Sequence, residues 1–200
     1  MNPPKIPTIE IFSENSHIIT ENTVFILENE YAITHVHDKK HILLTDGISG
    51  YEEMCCIGTL LYDPFSTVGS LVHLLDNEKF SYTVDEVIKH MKIYGGRRFV
   101  GFIVRLTENP LIKNQIQETQ EKLLKNRTLI KPFSQIEEQT VVFDTKDAKF
   151  YKRPSDLYPS IEDISCGRGK KLELIRGDGC YYPVYLISCC YEPREIVRIR

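Results

Sequence analysis

The sequence predicts an α+β protein with mixed, largely antiparallel β-sheets, sandwich-like, and two main helices. Three observations lead there. Short apolar runs come in pairs around turn residues, as Cys56–Tyr62 and Val68–Leu75 do around Asp63-Pro64-Phe65-Ser66, and such pairs read as β-hairpins. Only two stretches, one opening at Thr83 and one at Asn109, carry helical signals. Strands therefore interleave with just two helices, which sets α+β apart from a repeating βαβ chain.

Composition narrows the class. The 200 residues are 42% hydrophobic with a net charge of −3, as expected for one domain with additions. Acidic and basic residues nearly cancel, so no nucleic-acid partner is expected. No apolar run approaches the roughly 18 residues of a membrane-spanning helix. The stretch Met1-Asn2-Pro3-Pro4-Lys5-Ile6-Pro7 lacks the apolar core of a secretory signal. Six cysteines, with adjacent pairs at 55/56 and 189/190, do not resemble a disulfide framework. A reducing, cytoplasmic location is expected, and export without a cleaved signal stays open.

Taken in order, Thr23–Leu27 and Tyr31–Val36 predict a hairpin across Glu28-Asn29-Glu30, and His41–Thr45 a strand before Asp46-Gly47. Ile48–Met54 leads into the Asp63-Pro64 hairpin, where Asp suits the first turn position and Pro the second. Thr83-Val84-Asp85-Glu86 has the form of a capping box with Thr83 as N-cap. Val84, Val87, Ile88 and Met91 then share one helical face, and Gly95-Gly96 ends the helix. The apolar run Phe99–Leu106 reads as a buried strand.

Asn109-Pro110 begins the second helix as N-cap and N1. Its apolar face is Ile112, Ile116, Leu123 and Leu124, and it ends near Asn126. Leu129–Phe133 predicts a short strand, and Thr140–Phe143 with Lys149–Lys152 a hairpin. Beyond a boundary at Pro154–Pro159, Lys171–Ile175 and Tyr181–Ser188 flank Gly177-Asp178-Gly179 as a further hairpin, and Arg194–Arg200 reads as a last strand.

The hairpin at Asp63-Pro64 carries the chemistry. A turn centred between Pro64 and Phe65 makes Cys56 and His73 directly opposed, with Cβ atoms roughly 4.5–5.5 Å apart. A thiol beside an imidazole is the minimal apparatus of thiol nucleophilic catalysis. The bland alternative is a pair of core residues, since Cys often packs as a small hydrophobe. Cys55 should face the other way and pack.

The run from Cys56 to His73, C-x-G-x-x-L-Y-D-P-x-x-x-V-G-x-L-x-H, resembles the hairpin of the chemoreceptor glutamine deamidases (CheD). The order of elements through Val141–Lys152 is also similar. A related Cys–His arrangement occurs in toxins of the cytotoxic necrotizing factor type. The resemblance covers about residues 42–153 and implies a deamidase domain there, with 1–41 as an N-terminal β extension and 154–200 as a β-rich C-terminal extension packed on it.

It also implies hydrolysis of a protein glutamine to glutamate, with Cys56 as nucleophile, His73 as general base and no cofactor. The partner would be a protein substrate bearing the glutamine, with no membrane involved. In the family a threonine orients the histidine. Its place here falls on Gly50, so Ser49 or Thr45 would have to substitute. Family glycines are reduced to Gly101 in Phe99–Leu106, which leaves the substrate open. Two other readings accompany this one: a binding module that keeps the fold without efficient catalysis, and a thiol hydrolase of another amide or ester.

Fainter signals lie elsewhere. His35 and His37, if on one strand, share a face beside Asp38 and His41, as two imidazole metal ligands would. Cys166, Cys180, Cys189 and Cys190 lack the C-x-x-C spacing of structural zinc. No metal site is expected, and Arg176-Gly177-Asp178 is read as a turn.

Overall fold

The computed structural model describes residues 4–12, 23–26, 29–38, 43–46, 56–75, 79–105, 109–126, 129–136, 141–152 and 184–186. Within them the chain runs β1 (Ile11–Phe12), β2 (Thr23–Ile26), β3 (Glu30–Thr34), β4 (Leu43–Asp46), β5 (Cys56–Asp63), β6 (Val68–Leu75), α1 (Phe80–Ile93), β7 (Phe99–Arg105), α2 (Pro110–Lys125), β8 (Leu129–Gln135), β9 (Val141–Asp144), β10 (Lys149–Lys152) and β11 (Val184–Leu186). A five-stranded sheet has the order β1-β10-β9-β4-β2, and a six-stranded sheet β11-β3-β6-β5-β7-β8. The pairs β1–β10, β2–β4 and β7–β8 are parallel and the remainder antiparallel. The class is α+β.

Alternation along the six-stranded sheet sorts its side chains into two cores. Ala32, Leu60, Tyr62, Leu71, Val100 and Phe102 meet Val24, Ile26, Leu44, Phe143 and Phe150 of the five-stranded sheet. The odd positions Ile57, Leu61, Phe99 and Ile103 instead meet Val84, Val87, Ile88 and Met91 of α1 and Ile112, Ile116 and Leu123 of α2. The result is three layers: sheet, sheet, helices. Gly101 permits one close contact in the helix-side core, because a Cβ there would run into the Phe133 ring.

The second helix follows its sequence signals. Asn109 Oδ1 accepts from Leu111 N at 2.9 Å, Pro110 opens the helix and Asn126 closes it. Its buried face differs at one position, because Leu124 is exposed while Thr119 is buried. The first helix starts earlier than the capping box indicates. Lys79 is the N-cap, and the Thr83 hydroxyl donates to Lys79 O within the first turn. Burial of Phe80 explains the earlier start, since that ring packs against the same core as the rest of the apolar face.

Two further expectations meet a different outcome. Residues 23–27 and 31–36 do not form a hairpin. Instead β2 pairs with β4 in one sheet and β3 with β6 in the other. Asn29, in the left-handed region at φ 59°, turns the chain between the layers, a conformation Asn tolerates better than most residues. Residues 35–38 form a turn beyond the end of β3, with Asp38 N donating to His35 O. Both sheets also include strands from the first 41 residues, and β11 of the C-terminal segment pairs with β3. Ile48–Met54, Lys171–Ile175, Arg194–Arg200, Tyr181 and Tyr182 lie outside the described residues. No helix among the described residues is long and apolar enough to cross a membrane.

Candidate functional site

The turn between β5 and β6 determines which residues meet. Asp63 is fully buried, and its Oδ1 accepts from Phe65 N at 2.9 Å and Ser66 N at 3.5 Å. Its Oδ2 accepts from Arg97 N at 2.6 Å and Arg98 N at 3.1 Å, tying the α1–β7 connection to the turn. Thr67 closes the loop at φ 55°. Asp63 and Val68 are the last ladder partners, so the loop is 64–67 and its centre lies between Phe65 and Ser66.

That centre moves the register from the one expected. Cys56 faces Leu75, and His73 faces Gly58. Cys56 and His73 are therefore diagonal neighbours rather than a directly opposed pair. Diagonal Cα positions in an antiparallel ladder stand roughly 7–8 Å apart, within reach of long side chains. Position 56 has the same alternation as 58 and 60, and 73 the same as 71. Leu60 and Leu71 belong to the core between the sheets. Both candidate positions thus map to the inter-sheet face of one hairpin.

The imidazole is well defined. His73 is 1% exposed, and its Nδ1 lies 3.3 Å from the carbonyl oxygen of Ile26, on β2 of the opposite sheet. A carbonyl only accepts, so that contact assigns the proton to Nδ1 and makes Nε2 the basic position. A main-chain group thus contacts the His73 ring, and it comes from the layer facing the hairpin. Nothing in the one-letter sequence marks Ile26 for this role, because every residue has a carbonyl. On the other flank of β6, His73 is paired with Glu30, a carboxylate only 6% exposed.

Thr45 does not take the orienting role. It is fully buried in β4 and its hydroxyl donates to Val141 O at 2.8 Å, within its own sheet. Leu44 and Phe143, which pair with one another, face the inter-sheet core, so the alternate position 45 faces away from it. Ser49, Gly50 and Cys55 lie outside the described residues.

The fainter signals separate as well. His35 and His37 sit in a turn instead of on one strand face. His35 N donates to Asp38 Oδ2, and the His35 ring stacks on Tyr94 at 4.5 Å. Among the described residues no group of three or more His, Cys, Asp or Glu is placed to hold a metal. Cys166, Cys180, Cys189, Cys190 and Arg176-Gly177-Asp178 lie outside the described residues.

A polar-aromatic node occupies the helix side of the six-stranded sheet. The Tyr31 hydroxyl lies 3.2 Å from His90 Nδ1 and 3.4 Å from Glu86 Oε1. Tyr185 of β11 stacks on Tyr31 and meets His90 edge-on. Burial holds the His90 pKa below the ordinary imidazole value, against the pull of Glu86. An open groove of about 520 Å³ between α1 and α2, lined by Tyr82, Leu111, Gln115, Glu118 and Lys122, is likewise in the helix layer. Neither lies on the inter-sheet face that carries His73.

Chemically, the hairpin offers a thiol position, an imidazole of defined tautomer and Gly58 between them with no side chain. That set is suited to attack on a carbonyl carbon followed by proton transfer. No protein-family model matches the chain, and no curated protein sequence is similar to it.

Proposed function

We propose that the chain is a cysteine hydrolase that deamidates a protein glutamine side chain to glutamate, with Cys56 as nucleophile and His73 as general base. One observation carries the reading: the register gives Cys56 and His73 the same alternation in one hairpin, with the Ile26 carbonyl against Nδ1 of His73. The likeness of the Cys56–His73 run to the CheD hairpin supplies the substrate class.

In the proposed reaction Nε2 of His73 takes the thiol proton, and the thiolate attacks the carboxamide carbon. The tetrahedral oxyanion needs donors, for which main-chain N–H groups near Cys56 are the natural source. The imidazolium protonates the departing nitrogen, the C–N bond breaks and ammonia leaves a thioester. Water, deprotonated by His73, attacks the thioester; the C–S bond breaks and the proton returns to sulfur. The substrate would be a protein bearing the target glutamine, and no metal or organic cofactor enters these steps.

The burial of His73 favours a second reading, a binding module of the same fold in which the histidine is a structural hydrogen-bonding residue. A thiol hydrolase of a different amide or ester shares every step but the substrate. The deciding experiment incubates candidate proteins with the wild type and with Cys56→Ala and reads them by mass spectrometry. Conversion of glutamine to glutamate by the wild type alone supports deamidation. Alkylation of Cys56 by iodoacetamide gives a substrate-free check. A thiolate activated by His73 reacts with an apparent pKa below the ordinary value of about 8.5. Reaction no faster than in the unfolded chain supports the binding module.

A further inference from the structure

Beyond the thiol and the imidazole, the register brings a third ionisable residue to the same place. Glu30 begins β3 and is the direct cross-strand partner of His73 on β6. The row continues through Gly58 on β5 to Arg105 on β7. Alternation puts Glu30 with Ala32, which packs in the inter-sheet core, and His73 with Leu71, which packs there too. Directly opposed side chains have Cβ atoms roughly 4.5–5.5 Å apart. Glu30 and His73 are only 6% and 1% exposed, so water screens little of the interaction between them. A carboxylate taken out of water needs a cation or several donors to stay charged.

We infer that Glu30 is a positioning residue for His73, its carboxylate stabilising the imidazolium from the strand opposite the one that carries Cys56. The Ile26 carbonyl and the Glu30 carboxylate would then divide the task. The carbonyl fixes the ring and its tautomer, and the carboxylate favours the second proton. In the proposed hydrolase the imidazolium must form when the thiolate does, so a carboxylate behind it makes the ion pair easier to reach. This inference rests on the Cys56–His73 reading for its catalytic meaning, whereas the Glu30–His73 pairing is testable without it.

The other ionisable positions around His73 can be named. Among the described residues they are the positions of Cys56 on β5, Arg105 beyond Gly58 on β7, and Asp46 on β4, the register partner of Ile26 in the facing sheet. Of the two carboxylates, Glu30 is the direct partner on an adjacent strand. Asp46→Asn is therefore the control.

The test follows the His73 imidazole by NMR across pH in full-length Cys56→Ala, which removes the thiolate as a competing anion. Adding Glu30→Gln should lower the titration midpoint of His73 by about one unit or more, the size expected for losing an opposite charge within about 4–6 Å. Glu30→Asp should retain most of the shift, and Asp46→Asn should retain all of it. An unchanged midpoint in folded Glu30→Gln overturns the inference, as does a larger drop in Asp46→Asn. If Glu30→Gln does not fold, the Cys56→Ala protein decides alone. A His73 titration midpoint above the ordinary imidazole value of about 6.5 supports the pairing, and one below it overturns it.

The catalytic part has its own readout. With Cys56 present, Glu30→Gln should move the pH profile of Cys56 alkylation upward, which a purely structural carboxylate would not do. A lowered His73 midpoint with Cys56 alkylating at the unfolded rate keeps the pair and defeats the hydrolase. Rapid, His73-dependent alkylation untouched by Glu30→Gln keeps the hydrolase and defeats the pair.

Discussion

Two hairpins, β5–β6 and β9–β10, close with the same four-residue device. In the first, Asp63 and Val68 are the last partners, in the second Asp144 and Lys149. Each Asp accepts from the backbone N–H groups two and three residues on: Phe65 and Ser66 in one, Lys146 and Asp147 in the other. Each loop ends on a non-glycine residue in the left-handed region, Thr67 at φ 55° and Ala148 at φ 57°. The second turn also touches β3 and β6. Thr34 Oγ1 donates to Thr145 Oγ1 at 2.8 Å, and Gly69 is bare because a Cβ there would collide with the Thr145 methyl. Beyond the turns they diverge. The second hairpin sends Phe143 and Phe150 into the inter-sheet core. The first spends the matching face on Gly58 and His73 near its far end, away from the turn.

The difference shows how a packed sandwich accommodates a buried histidine beside a glycine. Turn geometry fixes the register in both cases, and Tyr62 of the first hairpin meets Phe143 of the second edge-on, whereas the far end of the first carries Gly58 and His73 on the same face. Cys56→Ser should therefore have the largest effect, lowering the turnover of a deamidated substrate by a factor on the order of 10⁴ or more. Retained turnover would make β5–β6 a second structural hairpin. On the anchoring side, Phe143→Ala should cost about 3–5 kcal/mol in denaturant unfolding, because a ring 1% exposed leaves a cavity when truncated. A loss under 1 kcal/mol would mean the anchor lies elsewhere.

The turns themselves separate at smaller scale. Asp63 also holds Arg97 N and Arg98 N, so Asp63→Ala should cost about 2–3 kcal/mol. Hydrogen exchange should quicken at those two amides, far away in sequence. Asp144→Ala should quicken exchange at Lys146 and Asp147 and leave Arg97 and Arg98 protected. Equal exchange patterns in the two variants would erase the distinction. The smallest effect is at the loop ends, where glycine relieves left-handed strain. Thr67→Gly should raise stability by about 0.5–1 kcal/mol. Ala148→Gly should gain about 0.5 kcal/mol or less, since it gives up a buried methyl.

Thr67 also accounts for the register expected from the sequence. Pro64 and Asp63 mark the turn plainly, but a β-branched residue is a poor predictor of φ above zero. Reading the loop as ending before Thr67 shifts its centre by one residue and turns a diagonal pair into an opposed one. The shift preserves the face, because register moves by two and side chains alternate with period two. Cys56 and His73 thus stayed on one face although their spacing changed. The second hairpin, β8, and the cap of α2 at Asn109 were legible for the ordinary reason that their signals are local.

Local sequence signals account for the α+β class, both helices and the two hairpins, and they nominate Cys56 and His73. Each depends on neighbours within a few residues, where periodicity, capping and turn chemistry act. Tertiary packing parts β2 and β3 into different sheets, brings the Ile26 carbonyl to His73 and sets Glu30 across from it. Those outcomes depend on layer packing and strand pairing between segments 20 to 47 residues apart, and no local pattern encodes a carbonyl on one sheet meeting an imidazole on another.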